Sequence, residues 1–396
     1  MADVVEETVE ESGCSRFVGA IKGVFFGIVL IGLACYLLYW NEERAYLRTI
    51  TLETGQAETI EVDANKVLQE NNEKLVMFKG LVKTAESLTD GEFENISVKD
   101  SLMLARNAEY YQWKETKHEK TEKKVGGGTK KTTTYSYATG WTSSPINSSS
   151  FKEPKGHTNT YLIDIQDSSS YVKSANIGEF NLNEDAIHSL GETKTLPLDS
   201  AMQINKDVAC VKSVRNNYIY FSATNSGDPK VGDVRVSFTY RPCADATVIA
   251  QQIEGNNIQP KEYVSGKLQL NSNGLKTVEQ MYEDAHKANS LMTWGLRAVG
   301  LILIYAGFMM IFKPISVMAD IIPFFGNLAE MGLGLISGIL TIMLGFTVIA
   351  IAWLAVRPWV AYTLLAIVGG LAVLAIMKFA TSKKKAAPVT ANAFEG

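Results

Sequence analysis

Histidine and cysteine are scarce in this chain of 396 residues, with four of each. The histidines are far apart in the sequence, at His118, His157, His188 and His286. Neither a Cys-x-x-Cys pair nor a Cys/His spacing typical of a structural metal occurs. The sequence therefore predicts no metal site and no cofactor.

Sequence motifs of catalysis are also missing. There is no H-E-x-x-H, G-x-S-x-G or G-x-G-x-x-G, so nothing indicates a zinc protease, a serine hydrolase or a dinucleotide-binding enzyme. Gly126–Lys131 is rich in glycine and lysine, but it lacks the full spacing of a phosphate-binding loop and precedes a polar strand pattern instead of a helix. We expect a protein that is not an enzyme.

The charge balance shows no excess of basic residues, because 38 lysines and arginines face 42 acidic residues and the net charge is −4. Nucleic-acid binding needs a concentrated positive field, so no nucleic-acid partner is predicted. Cys210 and Cys243 lie in the longest polar segment of the chain. Two alternatives stay open for them, a disulfide in an oxidising compartment or two partly buried free thiols.

Long apolar runs are the strongest positive feature. Uncharged stretches of about 18 residues or more are typical of helices that cross a hydrocarbon core of about 30 Å. Four segments fit this pattern, one near the N-terminus and three in the last hundred residues: 23–41, 294–312, 331–356 and 358–377. The second includes Arg297, which we expect to reach the headgroups from a helix end.

A cleaved signal peptide is the alternative for the first run. The residues before it are acidic, and Tyr39 and Trp40 occupy the place where small residues should precede a cleavage site. The sequence therefore favours a retained helix. Arg357 and Pro358 separate the last two runs and suit a tight helical hairpin at the water interface.

The sequence predicts a membrane α-helical protein of four spans with a large β-rich α+β extramembrane domain between spans one and two. The predicted segments are an acidic tail 1–22, transmembrane helix 1 at 23–41, the β-rich domain 42–275, an amphipathic helix 276–293, transmembrane helix 2 at 294–312, an interfacial loop 313–330, transmembrane helices 3 and 4 at 331–356 and 358–377, and a basic tail 378–396. The lysine-rich tail favours cytoplasmic termini.

The sequence pattern predicts mostly strands in the domain between the first two apolar runs. Ser101–Thr121 and Thr129–Ser143 flank a glycine tip and predict a long β-hairpin. Further predicted strands are Lys74–Ala85, Thr160–Ile165, Ser170–Phe180, Val208–Val214, Tyr218–Ala223, Val231–Tyr240, Ala246–Glu254 and Lys267–Leu270. Glu184–Leu190 is predicted as a short helix. In 276–292, Val278, Met281, Tyr282 and Ala285 fall on one helical face.

Small residues recur in the apolar runs. Gly334 and Gly338 are four apart in the third run, a spacing that lets two helices approach closely, within the chain or between chains. We take both as helix-packing candidates. No aspartate, glutamate, lysine or histidine lies in the middle of a run, which argues against ion-coupled transport.

Several stretches together resemble the transmembrane protein 43 family, also called LUMA. They are Trp40-Asn41-Glu42-Glu43-Arg44-Ala45, Glu109-Tyr110-Tyr111-Gln112-Trp113, Tyr135-Ser136-Tyr137, Ile146-Asn147-Ser148, Gly156-His157, Val231–Phe238, Asn289–Arg297 and Arg357-Pro358. The candidate motif and membrane-interface residues are therefore Trp40, Asn41, Glu42, Arg44, Trp294, Arg297, Arg357 and Pro358.

The resemblance implies a non-enzymatic, homo-oligomeric membrane scaffold. Animal members sit in the endoplasmic reticulum and inner nuclear membrane and help to organise the nuclear envelope with emerin and lamins. Glu43, where animal members tend to carry glycine, and the glycine-rich hairpin tip favour a bacterial or other non-animal source. In that case the inner membrane is the expected location and nuclear partners are lacking. The alternative function is a lipid-binding or lipid-transfer module that uses the extramembrane domain.

Overall fold

The computed structural model describes residues 4–199, 210–224, 227–320 and 323–354, together with residues 362–363, 366–367, 369–370, 373 and 377. The chain forms two compact units. The first unit contains the residues up to Thr8, Ile50–Lys120 and Thr132–His286. The second contains Val9–Thr49, Thr121–Lys131 and the chain from Lys287 onwards.

Three of the described helices are long and apolar enough to cross a bilayer. The helices are α1 (Gly13–Glu58), α2 (Glu184–Ser189), α3 (Val278–Ala319) and α4 (Pro323–Leu354). Together with the family assignment below, α1, α3 and α4 place the chain in a membrane. The predicted fourth span, 358–377, lies mostly outside the described residues; those described between 362 and 377 are helical.

The helices extend well beyond the apolar runs. Helix α1 starts before the predicted span and continues as far as Glu58 without a break. Helix α3 joins the predicted amphipathic helix and the second span into one element. A hydropathy pattern identifies only the apolar part of a helix, which is the part stable in lipid. The hydrogen-bonded helix can continue into polar sequence, because its backbone N–H and C=O groups still need partners there.

The predicted interfacial loop 313–330 is wrong. Helix α3 continues through Pro314 to Ala319, and α4 starts at Pro323. A proline inside a helix loses one backbone hydrogen bond, which membrane helices tolerate because their surroundings compensate. At the first helical position proline loses nothing, since that N–H has no partner within the helix. Thus Pro323 marks a helix start.

The strands are short apart from one long hairpin. The described strands are β1 (Val4–Glu11), β2 (Ile60–Glu61), β3 (Leu75–Lys83), β4 (Leu88–Thr89), β5 (Ser97–Val98), β6 (Ser101–Lys123), β7 (Thr129–Thr142), β8 (Ser168–Tyr171), β9 (Asn176–Ile177), β10 (Phe180–Asn181), β11 (Lys194–Thr195), β12 (Val211–Arg215), β13 (Tyr218–Ser222), β14 (Val234–Pro242), β15 (Asp245–Ile253), β16 (Asn257–Gln259), β17 (Lys261–Tyr263), β18 (Gly266–Leu268) and β19 (Leu270–Asn273).

Two sheets carry most of these strands. One sheet has the order β1-β7-β6-β14-β13-β12, with β8 on β6 and β11 on β14. The other has the order β19-β15-β16-β10-β9-β3-β2, and β15 also pairs with β3. Strands β3 and β15 run antiparallel with Val248 opposite Phe78. The β6–β7 hairpin confirms the sequence prediction within two residues at each end.

The first unit has a filled apolar core. Side chains from both sheets meet in it, and Phe78 stacks on Phe180 with ring centroids 4.2 Å apart. A second cluster contains Leu52 of α1 and Met281 and Tyr282 of α3. Val278 and Ala285 pack against that cluster, which confirms the predicted apolar face of this helix.

Some predicted strands differ from the structure. The segment 160–165 is not a strand, although Ile163 and Ile165 are buried. The predicted strand 170–180 is divided into β8, β9 and β10. A turn at Gly178 separates the last two, where φ is 57° and an added Cβ would lie 2.2 Å from the Ala64 carbonyl oxygen. Apolar alternation predicts burial, and both strands and buried loops satisfy it.

The acidic segment before the first apolar run is also structured. Strand β1 lies beside β7 at the edge of the sheet. Lys124 Nζ lies 2.5 Å from a Glu10 carboxylate oxygen, and Lys152 Nζ lies 2.8 Å from Glu7. The prediction of a tail over 1–22 failed here because alternating acids do not resemble a buried strand. An edge strand can instead be stabilised by opposite charges, here lysines that lie before and after β7 in the sequence.

Candidate functional site

A buried carboxylate joins the three long helices of the second unit. Glu42 of α1 is 3 % exposed and accepts two hydrogen bonds from Arg297 of α3, Nε to Oε1 at 2.6 Å and Nη2 to Oε2 at 2.7 Å. Trp353 of α4 donates its indole N–H to Oε2 at 2.5 Å. A bidentate arginine–carboxylate pair is among the strongest charge-assisted contacts in proteins. We call these three residues the Glu42 cluster.

Aromatic rings surround the arginine of this cluster. The guanidinium carbon of Arg297 lies 4.6 Å from the ring centroid of Trp294 and 5.9 Å from that of Trp353. Cation–π attraction adds to the ion pair at such distances. The predicted position of Arg297 at the headgroups stays a prediction. A carboxylate within the chain pairs with its charge, which the sequence did not indicate.

Polar contacts between α1 and α3 continue next to the Glu42 cluster. Asn41 donates from Nδ2 to the Thr293 carbonyl oxygen at 3.1 Å. Arg44 donates to Asn289 Oδ1 at 3.2 Å and to Thr293 Oγ1 at 3.1 Å, and Asn289 donates to the Ala45 carbonyl oxygen at 3.0 Å. These bonds fix the rotation of one helix against the other over more than one turn.

A second buried carboxylate, Asp320, follows the end of α3. Arg16 of α1 lies 2.7 Å from Asp320 Oδ2, and Lys123 of the hairpin lies 2.8 Å from Oδ1. Arg16 also donates to the Gly127 carbonyl oxygen at 2.5 Å. Burial by itself would raise the pKa of Asp320, but the hydrogen bonds and charges of Lys123 and Arg16 lower it overall. We call Asp320, Arg16 and Lys123 the Asp320 cluster.

Glycines allow the hairpin tip, residues 121–131, to approach the start of α1. Gly126 and Gly127 have φ of 93° and 80°, a region that glycine adopts without strain. A Cβ added to Gly13 would lie 3.1 Å from the Gly126 carbonyl oxygen. The glycine tip therefore serves a close backbone contact as well as the turn itself.

The two clusters mark the ends of the apolar part of the bundle. Arg16 and Glu42 are 26 positions apart on α1, which is about 39 Å along the axis at about 1.5 Å per residue. A bilayer with its headgroups is about 40–45 Å thick. The spacing therefore suits one cluster in each headgroup region.

The tip contact differs from the expectation that residues 42–293 all lie on one side of the apolar runs. The tip meets Arg16 and Asp320, whereas Glu42 and Arg297 lie at the other ends of the same runs.

Five of the predicted motif residues come together in or beside the Glu42 cluster: Asn41, Glu42, Arg44, Trp294 and Arg297. Trp40 is 41 % exposed, which leaves its interface role a prediction. Arg357 and Pro358 lie outside the described residues. Trp353, Arg16 and Asp320 were not predicted from the sequence as site residues. Their only local signal was their position near the end of an apolar helix.

The two candidate packing glycines behave differently. A Cβ added to Gly334 would lie 3.3 Å from the Tyr305 hydroxyl, whereas one added to Gly338 would meet no described atom within 4 Å. A close approach of two helix backbones lies elsewhere, at Gly27 of α1, where an added Cβ would lie 2.7 Å from the Gly307 carbonyl oxygen. Among the described residues, nothing therefore occupies the space into which a side chain at position 338 would extend.

Cys210 and Cys243 are free thiols, each partly buried, so the structure has the second of the two alternatives left open by the sequence. Burial raises the pKa of the Cys243 thiol to about 11, with a further contribution from the charge of Asp100. Burial likewise raises the pKa of Cys210. Both thiols are protonated at neutral pH and are poor nucleophiles. Among the described residues, no group of three or more His, Cys, Asp or Glu side chains is arranged to hold a metal ion.

Comparison with known proteins connects this architecture to a family. The family model for transmembrane protein 43 matches residues 110–358. Transmembrane protein 43 of Mus musculus is 31% identical over 86% of this chain and 86% of its own length, and that of Homo sapiens is 30% identical over 85% of each. The transmembrane protein 43 homolog of Drosophila melanogaster is 26% identical over 86% of this chain and 90% of its own. No solved structure matches. This chain belongs to the transmembrane protein 43 family.

Proposed function

We propose that this chain is a multi-pass integral membrane scaffold that self-associates, organises the surrounding membrane and catalyses no reaction. The observation that carries the proposal is the Glu42 cluster. A glutamate, an arginine and a tryptophan from three apolar helices are used for holding those helices together. Their polar atoms satisfy one another, which is typical of a structural network rather than of a site that binds a reactant.

The outward faces of the same helices support a role in lipid. Large apolar side chains are exposed on each of them, including Phe25 at 67 %, Ile302 at 65 % and Leu335 at 70 %. Exposed apolar area of this kind is stable against lipid tails or against another apolar helix, and not against water. Such faces would contact both the bilayer and further copies of the chain.

The first unit fits a protein-contact domain better than a lipid carrier. Its main core is filled by side chains from both sheets. A cavity of about 300 Å³ in this unit is lined by polar and apolar groups in similar measure, the polar ones being Gln269, Asn271, Ser272 and Asp284. Acyl chains need an apolar cavity, so this unit offers little support for the alternative function of lipid transfer through the extramembrane domain.

The expected location and partners depend on the source organism. In a cell with a nucleus we expect the endoplasmic reticulum and inner nuclear membrane, with emerin and lamins as partners. In a bacterium we expect the inner membrane, with copies of the same chain as the main partner. In both cases the termini would be cytoplasmic.

Self-association is tested by light scattering on the detergent-solubilised protein and by chemical crosslinking in membranes. A multimer in both measurements is the expected result. A strictly monomeric particle together with no crosslinked multimer would refute the scaffold proposal.

Two glycines of α4, Gly338 and Gly332, allow a more specific test of self-association. Gly338→Leu should weaken the multimer, because a Cβ added there meets no described atom within 4 Å and the space beside it could hold a helix of another copy. Gly332→Leu is the matched control, since an added Cβ there also meets nothing within 4 Å and the two positions lie on different faces of the helix. Equal multimer stability in both variants would remove Gly338 from the contact.

A further inference from the structure

Two Asn-x-Ser/Thr triplets occur in the sequence, Asn95-Ile96-Ser97 and Asn147-Ser148-Ser149. A triplet of this kind without proline in the middle is the acceptor of N-linked glycosylation, and the bulky sugar needs a surface position. Because so short a motif also arises by chance, its surroundings in the fold decide whether it suits a glycan. Both triplets belong to the first unit.

The segment around Asn147 is exposed. Asn147 follows the end of β7 and lies directly before a short 3₁₀ helix at Ser148–Ser150. The residues at positions 143–145, before it, and at positions 149 and 150, after it, are exposed as well. A large hydrophilic group attached at this position would therefore extend into water without displacing a packed side chain.

The hydrogen bonds of the Asn147 side chain use its oxygen. Oδ1 accepts from the Ser149 N–H at 3.1 Å and from the Ser149 hydroxyl at 2.7 Å. Among the residues that the structure describes, none accepts a bond from Nδ2 of Asn147, whereas Nδ2 of Asn159 donates to the carbonyl oxygens of Trp113 and Ile146. A glycan is attached to Nδ2, so Asn147 would keep both of its bonds when modified.

The middle residues of the two triplets differ. Ser148 is held in its loop by a hydrogen bond, in which its hydroxyl accepts from the Asn159 N–H at 2.9 Å. Ile96 instead belongs to the main apolar core and is 1 % exposed. An enzyme that binds the Asn95 triplet in the folded chain must pull Ile96 out of that core, whereas access to Asn147 disturbs only hydrogen bonds of a loop.

We propose that Asn147 is an acceptor for N-linked glycosylation when the chain is made at an endoplasmic reticulum. Its Nδ2 forms a bond to the anomeric carbon of an oligosaccharide, and the bond from that carbon to the diphosphate of a lipid carrier breaks. The lipid diphosphate leaves with the electron pair, and Nδ2 loses one proton. The site rests on the proposed orientation, in which the termini are cytoplasmic and Asn147 lies on the other side of the membrane.

The test is translation of the full chain with microsomes from the endoplasmic reticulum, followed by electrophoresis with and without an endoglycosidase. Every chain carries Asn95→Gln, so that Asn147 is in the last natural triplet. The parent should give a slower form that the endoglycosidase removes, and Asn147→Gln should abolish that form. Ser149→Ala should abolish it as well, because the triplet loses its hydroxyl, and Ser149→Thr should retain it. Ser150→Ala, one position beyond the triplet, is the matched control.

Two further variants separate the site from the orientation. Leu275→Asn creates an Asn-Lys-Thr triplet in the same unit, at a position that is 58 % exposed, and should add one glycan. Phe394→Thr creates an Asn-Ala-Thr triplet in the C-terminal tail and should add none, because the tail is expected in the cytoplasm.

Three results would overturn the proposal. An unmodified Asn147 together with a modified Leu275→Asn chain would remove the glycan site and leave the orientation intact. A glycan gained only in Phe394→Thr would reverse the orientation and remove the site with it. A slower form that persists in Ser149→Ala would show that another residue carries the sugar. Self-association is measured separately, so a monomeric chain with a glycan on Asn147 would refute the scaffold function alone.

Discussion

The Glu42 and Asp320 clusters lie at opposite ends of the same helices and differ in what they join. Both carboxylate side chains are 1 % exposed, and both pair with an arginine. The partners of Glu42 all belong to long helices, whereas Asp320 also binds Lys123 of the hairpin. One cluster therefore holds the bundle together, and the other holds a loop against it.

The charge balance differs as well. Glu42 and Arg297 cancel, and the neutral indole of Trp353 completes the hydrogen bonding. Asp320 faces two cations from different parts of the chain, Arg16 of α1 and Lys123 of the hairpin. A buried carboxylate is stable only when its charge is paired and its oxygens are hydrogen-bonded.

The largest effect is expected from Glu42→Gln. The change leaves the Arg297 guanidinium, 14 % exposed, without its counter-charge, and breaking one side of a buried ion pair costs about 3–5 kcal/mol. Unfolding by sodium dodecyl sulfate titration should show this loss. The adjacent, exposed Glu43→Gln is the control and should change little; similar values for both variants would show that the Glu42 cluster does not hold the bundle.

A smaller effect, local to the hairpin, is expected from Asp320→Asn. Hydrogen bonds to charged groups contribute about 1.5–3 kcal/mol, and their loss should release the tip from Arg16. Spin labels at Val125→Cys and Val18→Cys, in a chain whose native cysteines are replaced by serine, report the distance by double electron–electron resonance. The distance distribution should lengthen and broaden.

The matched control for that experiment is Glu10→Gln, which removes an exposed partner of Lys124. Exposed ion pairs contribute about 0–1 kcal/mol, so the distance should stay the same. If Asp320→Asn also leaves it unchanged, the tip is held by contacts other than the Asp320 cluster. The same label pair in lipid nanodiscs shows whether embedding the helices releases the tip.

Trp353→Phe should have a still smaller effect on the Glu42 cluster. Phenylalanine keeps an aromatic ring near Arg297 but donates no hydrogen bond to Glu42. The two bonds from Arg297 remain, so we expect a loss of about 1 kcal/mol in the detergent titration. Trp294→Phe retains a ring in the cation–π contact and removes no bond to Glu42. A loss from Trp353→Phe no larger than that of this control would exclude α4 from the cluster.

The smallest effect is expected from mild acid. Because Lys123 and Arg16 lower the pKa of Asp320 despite its burial, its contribution to stability is fully present above the ordinary aspartate pKa of about 3.9. It is lost only as the pH falls through the lowered value. The spin-label distance should therefore be constant from pH 7 to about pH 4 and lengthen only below it. Release near pH 6 would show that another group controls the tip.

Much of the helical and strand structure was predictable because its signals are local. The apolar runs identified α1, α3 and α4, and the apolar face around Met281 and Tyr282 is the one that packs. The predicted and observed ends of the hairpin strands agree within two residues, because a glycine turn between Thr- and Tyr-rich flanks is typical of a β-hairpin and of few other structures. The error at 313–330 came from treating Pro314 as a helix break, when the bundle tolerates it.

The candidate site was predictable only in part. The motif residues around Glu42 and Arg297 were identified through the family resemblance, but their pairing was not. Trp353 was not expected, and Asp320 looked like an ordinary loop residue. A strand formed by the acidic N-terminal segment was also missed, because its stabilising lysines lie on another part of the chain.

The sequence by itself determined which segments are apolar enough for lipid, which are strands and to which family the chain belongs, because composition and periodicity act over a few neighbouring residues. Only the tertiary structure decided that Glu42 meets Arg297 and Trp353, 255 and 311 positions away. Such contacts depend on the rotation and register of whole helices. These are set by the sum of many packing interactions, and no single stretch of sequence carries that information.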